Sequence, residues 1–167
     1  MEQRSAALQR FLGGYARLAR LPAPCCAPLA LAEVCERVRR LLDDARIYID
    51  VEHALQVHAD ADQLEQVLIN LLRNAIEAGG DAPVWLRAQR DGNCARIEIA
   101  DEGMGLPTSD NLFVPFFTTK PGGSGIGLVL SRQILEAQGG SLVLRARSDA
   151  HGTVAEIRLP LHALQDS

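Results

Sequence analysis

Between residues 61 and 78 apolar side chains recur at three- and four-residue intervals: Leu64, Val67, Leu68, Leu71, Leu72 and Ala75. At about 100° per residue they fall on one side of a helix, with Val67 at the margin. Gln66, Asn70, Asn74 and Glu77 form a polar strip along the other side. Asp60 is placed to cap this helix, and Gly79-Gly80 to end it. The same periodicity predicts a helix over Leu31–Asp43, with Val34, Val38, Leu41 and Leu42 on one side, and another over Ser124–Gln138, closed by Gly139-Gly140. Period-two alternation predicts strands over Arg46–His53, Val84–Arg90, Cys94–Ala100, Ser141–Arg147 and Thr153–Leu159, and a short one over Leu55–His58. Asp91-Gly92-Asn93 is a strong hairpin signal between two of them. Three helices and about five strands, mostly hairpin-paired, predict an α+β two-layer sandwich with a mixed sheet.

The first 20 residues read differently. Leu8, Phe11, Tyr15 and Leu18 fit an a/d seam over two heptads, weakened by Gly13 and Gly14. Two readings stand side by side: the end of a dimerisation helix, or an amphipathic helix docked on its own domain. Pro22 must stop it, and the proline-punctuated run LPAPCCAPLA reads as a linker.

Composition narrows the function. The chain has 167 residues, enough for one well-filled core, and a net charge of -4. That charge, with 4% aromatic residues, argues against nucleic acid as a partner. Cys25, Cys26, Cys35 and Cys94 form no CxxC pair, so they read as reduced thiols of a cytoplasmic protein. No apolar run is long enough to span a bilayer, so no membrane contact is expected of this chain.

Three stretches carry candidate chemistry. Asn70 and Asn74 stand one turn apart in a Leu-rich helix, where asparagine is unfavourable by propensity. Their amide oxygens are hard, neutral ligands suited to Mg²⁺ riding on phosphates. In IEIADEGMGLP a strand delivers Asp101, followed by Gly103 and Gly105. A carboxylate there accepts the exocyclic amine of adenine and repels the guanine carbonyl. Residues 113–130, FVPFFTTKPGGSGIGLVL, place four glycines in six residues just after Lys120. Exposed backbone N–H groups and a helix N-terminus together suit phosphate. The run is neither a Walker loop nor a Rossmann fingerprint. In His151-Gly152-Thr153, Gly152 allows a close backbone approach.

In order and spacing, NLLRNAIEA, DEGMG, FVPFFTTK, GGSGIGL and HGT resemble the N, G1, F, G2 and G3 boxes of sensor histidine kinase catalytic domains. These belong to the superfamily shared with gyrase, a class of heat-shock chaperones and the mismatch-repair ATPases. The FFTTKPGGSGIGL form looks most like the nitrogen-regulation type, and FLGGYARLARLPAP like the end of its second dimerisation helix. The resemblance implies a Bergerat-type ATP-binding fold and a division into 1–21 (dimerisation helix end), 22–30 (linker), 31–162 (catalytic domain) and 163–167 (tail). Asn74 would ligate Mg²⁺, with Asn70 near the phosphates. Asp101 would bind adenine N6, with Gly103 and Gly105 shaping the pocket and Thr153 supporting it. Residues 116–123 would form the ATP lid, including Thr119, Lys120 and Gly123, with Lys120 on phosphate. Gly125, Gly127 and Leu128 would meet the nucleotide at the start of the last helix.

The implied reaction is transfer of the ATP γ-phosphoryl group to a histidine of the kinase's own dimerisation domain, for relay to a response regulator receiver domain. The intact kinase would be a homodimer. In related ATPases the position four residues before the magnesium asparagine is a glutamate base; here it is Asn70, which takes no proton at neutral pH. Water attack should be slow, with Glu77 a second candidate base. None of His53, His58, His151 and His162 lies in an HExxNP-like motif, so the acceptor is expected outside this chain. Two alternatives keep the fold: an anti-sigma-type serine kinase, and a non-catalytic nucleotide-binding interaction module.

Overall fold

The computed structural model describes residues 21–103, 127–147 and 151–162. The expected helix over 2–20, the lid over 116–123 and the tail over 163–167 lie outside these residues. The described chain runs β1 (Ala27–Ala30), α1 (Leu31–Leu42), β2 (Ile47–Val51), β3 (Gln56–Ala59), α2 (Ala61–Gly79), β4 (Val84–Asp91), β5 (Cys94–Ala100), α3 (Gly127–Ala137), β6 (Ser141–Ala146) and β7 (Thr153–Pro160).

The main sheet has the order β2-β4-β5-β7-β6. β2 pairs with β4 in parallel, and the remaining neighbours are antiparallel. The β4–β5 hairpin closes at Asp91 opposite Cys94 over the two-residue loop Gly92-Asn93, with Gly92 at φ 64 in the first central position, as a type II′ turn requires. Helices cover one face. Leu64, Leu68 and Leu72 of α2 and Ile134 and Leu135 of α3 are fully or almost fully buried in one cluster with Leu86, Ile97, Ile157 and Leu159 of the sheet. Each such side chain contributes roughly 1.5–3 kcal/mol by leaving water. All four cysteines are free thiols. Cys35 lies in the core, where burial pushes its pKa up to about 12 and keeps it protonated.

The α+β sandwich of three helices on a mixed five-stranded sheet matches the sequence expectation, and three details correct it. Ala27–Ala30, read as linker, forms β1 and pairs antiparallel with β3 in a separate two-stranded sheet. Pro28 hides that strand in the sequence; it is tolerated because a two-stranded sheet consists of edges. Val67, placed at the margin of α2, is fully buried, because α2 packs against both α1 and α3 as well as the sheet. Leu41 is 60% exposed. The buried stripe of α1 centres on Leu31, Val34, Cys35 and Val38, and Leu41 falls about 70° from that centre.

A buried polar clasp fixes the start of α2. Asp60 caps the helix, its Oδ1 accepting from Gln63 N at 3.0 Å, while Oδ2 accepts from Cys25 N at 2.7 Å. Gln138, just past α3, accepts from Asp60 N through Oε1 at 2.9 Å and donates through Nε2 to Gln63 Oε1 at 3.0 Å. Gln63 Nε2 in turn donates to Pro22 O at 2.9 Å. Both glutamine side chains are buried, so each lost bond leaves an unsatisfied group. Gln138→Met strands Asp60 N–H and Gln63 Oε1. It is expected to cost about 2–4 kcal/mol and to lower the midpoint of a thermal melt by about 5–12 °C. The exposed control Gln89→Met should leave the melt nearly unchanged.

Candidate nucleotide site

Asp101 stands one residue beyond β5 and is only 8% exposed. Its Oδ1 accepts from Gly103 N at 2.8 Å and from Thr153 N at 3.3 Å. Its own N–H donates to Thr153 O at 3.0 Å. These bonds hold the carboxylate in one orientation against the sheet. Two glycines make the arrangement possible. Gly152 has φ 131, and a Cβ there would overlap the Asp101 carbonyl oxygen. A Cβ at Gly103 would come within 2.7 Å of Ala78 O, so the turn after Asp101 packs directly on the end of α2. Arg147 Nη1 donates to Asp101 O at 3.3 Å, behind the carboxylate.

The second wall is the polar strip of α2. Asn70 and Asn74 are half-buried, and Glu77 and Gln66 are exposed. Asn70 Nδ2 donates to Ser131 Oγ of α3 at 3.5 Å, and its Oδ1 accepts from Gln66 Nε2 at 3.2 Å. Asn70 therefore bridges the two helices that frame the site. Asn74 sits one turn further along α2, toward the point where Gly103 meets Ala78. α3 begins at Gly127 and Leu128, both half-buried, and among the described residues nothing outside its own turn of helix lies within 4 Å of where a Gly127 Cβ would stand. The fold thus gathers Asn70, Asn74, Asp101, Gly103, Gly127, Leu128 and Thr153 around α2, the β5 end and the α3 start. Gly105, Thr119, Lys120, Gly123 and Gly125 lie outside the described residues.

Thr153 meets Asp101 through its backbone, in both directions. Sequence reasoning missed Ser131 and Arg147. Ser131 is fully buried, one turn past Gly127 on α3, and a hydroxyl inside an apolar helix was the available signal. Arg147 had none, since its contact depends on how β6 ends. Among the described residues no group of three or more His, Cys, Asp or Glu could hold a metal ion. A cation here would draw on amide oxygens, water and ligand oxygens instead.

Comparison with known proteins extends this geometry. Residues 59–163 match the family model described as histidine kinase-, DNA gyrase B-, and HSP90-like ATPase. The chain is 36% identical over 122 residues to sensor protein kinase PilS of Pseudomonas aeruginosa, covering 68% of this chain and 23% of PilS. It is 32% identical over 133 residues to sensory histidine kinase/phosphatase NtrB of Escherichia coli O157:H7, covering 68% of this chain and 38% of NtrB. The chain thus spans well under half the length of either relative. Among solved structures, the nucleotide-free catalytic domain of histidine kinase ThkA superposes with a TM-score of 0.71 at 29% identity, covering 81% of this chain and 95% of that one. ThkA in complex with response regulator protein TrrA shares the fold, at a TM-score of 0.78 and 24% identity over 96% of this chain and 49% of that one. The chain belongs to the histidine kinase-, DNA gyrase B- and HSP90-like ATPase family, as a catalytic ATP-binding domain of the sensor histidine kinase type.

Proposed function

We propose that this domain binds Mg-ATP and presents its γ-phosphoryl group to a histidine on the dimerisation domain of its parent kinase. The phosphoryl group then passes to a response regulator. The observation that carries the reading is the buried Asp101 carboxylate, clamped on Oδ1 by two backbone N–H groups beside the asparagine strip of α2. Its other oxygen is the acceptor for the adenine amine. Asn74 and Asn70 stand on the phosphate side. The neutral amide oxygens fit Mg²⁺ that keeps phosphate and water in its shell. When bound, the ion supplies charge neutralisation on the transferring phosphates. Asn74 orients that end through its amide, and Gly127 and Leu128 bring the start of α3 close to it. Lys120 serves as a point charge on phosphate, with Thr119, Gly123 and Gly125 alongside it in the lid and Gly105 beside adenine. The parent kinase acts as a homodimer in the cytoplasm.

Asn70 explains the choice of nucleophile. An amide cannot take a proton from water, so hydrolysis stays slow and ATP remains available to an imidazole. The histidines of this chain are poorly placed as acceptors. His53 lies in a turn, His58 on β3, and His151 and His162 at exposed positions flanking β7.

Three outcomes test this reading. Asp101→Asn keeps an acceptor for Gly103 and Thr153 N–H only by placing its amide oxygen at Oδ1, which turns its NH₂ toward the adenine amine. Calorimetry should show ATP affinity falling about a hundredfold with the melting temperature little changed. Unchanged ATP affinity, or no ATP binding by the unaltered chain at millimolar concentration, would remove the proposal. Incubated with Mg²⁺ and γ-labelled ATP, the chain should acquire no acid-labile label; stable self-labelling would place the acceptor within it. Asn70→Glu restores a base beside the phosphates and should raise phosphate release from Mg-ATP by about tenfold or more.

A further inference from the structure

The face of the main sheet opposite the helices carries a cleft of about 280 Å³. Strand register explains it. One row runs straight across the sheet, with Tyr48 beside Trp85, Trp85 beside Ala100, Ala100 beside Val154 and Val154 beside Arg145. Two short side chains lie between a tryptophan and an arginine, so the row is low in the middle and high at both ends. The next row sets Arg87 between Asp50 and Glu98, with Glu156 beyond Glu98. Arg147, just past β6, closes one end, its guanidinium 5.2 Å from the centre of the Trp85 ring.

The charge in this cleft runs against the molecule. Three arginines and one glutamate line it, in a chain of net charge -4. Glu98 is already engaged twice, by Arg145 at 3.0 Å and by Arg96 at 3.2 Å. Arg147 lies 3.8 Å from Glu102 and donates to Asp101 O. Arg87 is exposed, and its guanidinium makes no ion pair or hydrogen bond among the described residues. The Arg145–Glu98 pair shows that a carboxylate sits well at this height above the sheet.

We propose that the cleft docks an acidic peptide segment of a partner protein. A Glu or Asp carboxylate of that segment pairs with Arg87 and the free edge of Arg145, and an apolar neighbour lies over Ala100 and Val154 against Trp85. A peptide fits better than a free anion because the same face is flanked by Tyr48 and Val143, which are 57% and 50% exposed. A peptide crossing the sheet covers both, and a small ion covers neither.

Trp85 is the single tryptophan of the chain, so its fluorescence reports on this cleft alone. The probe is a blocked hexapeptide alternating glutamate and leucine, titrated into the full chain. A saturable fluorescence change is expected, absent with the lysine–leucine counterpart. Its affinity should fall about tenfold in Arg87→Gln and again at about 0.5 M salt. Val143→Asp, also at an exposed position, should weaken it through repulsion. Melting curves of both variants should match the parent. The proposal is overturned by no saturable change, by equal affinity in Arg87→Gln, by inorganic phosphate saturating the same signal, or by ATP competing with the peptide.

Discussion

The structure hinges on one close approach. The carbonyl oxygen of Asp101 lies so near the Cα of Gly152 that no side chain fits between them. That contact brings the end of β5 and the start of β7 together, where Asp101 and Thr153 exchange backbone hydrogen bonds. With Thr153 N in place, Oδ1 gains its second donor and the carboxylate is held at the sheet edge. A larger residue at 152 would separate the two strands at the point where the site is built. The glycine is strained for any other residue by its φ of 131 as well as by the overlap, so sterics and backbone preference select the same residue.

α2 is the other organising element, and its two sides answer to different demands. One side buries Leu64, Val67, Leu68, Leu71, Leu72 and Ala75 and is fixed by packing. The polar side meets α3 through Asn70 and Ser131, and meets the Asp101 turn through Ala78 and Gly103. At its first turn the Asp60–Gln63–Gln138 clasp ties α2 to the end of α3 and to the chain at Pro22 and Cys25. Any displacement of residues 22–25 therefore reaches both helices that frame the candidate site, through a chain of bonds whose Gln63–Gln138 link is buried and costly to break.

How much of this the sequence revealed follows from the range of each interaction. α2, its Asp60 cap and the Asp91-Gly92 hairpin were legible because periodicity, capping and turn chemistry are local. β1 was not, because a proline-rich run reads as linker until its partner β3 is known. Leu41 shares a side of α1 with Val34 and Val38 yet is exposed, because a side of a helix is wider than the stripe its neighbours cover. The role of Gly152 was foreseen as a close approach, but its partner was not. Asn70 stood out by type, whereas Ser131, 61 residues away, was visible only as an oddity in α3. Tyr48, Trp85, Ala100, Val154 and Arg145 come from five separate strands and share a row only through register, which no local pattern encodes.

The amide at position 70 separates folding from chemistry. Asn70 accepts from Gln66 Nε2 and donates to Ser131 Oγ. A serine hydroxyl can rotate to donate or accept, and Gln66 is a donor there, so a carboxylate at this position could be satisfied by the same two partners. The helix pair therefore does not require an amide. Propensity does not favour one either, since asparagine is among the weaker helix formers. Under the proposed function, what an amide removes is a group able to take a proton from water beside the phosphates. Among the demands on this position, that is the one asparagine meets and glutamate does not. It is the feature that the proposed phosphoryl transfer to a histidine asks of this position.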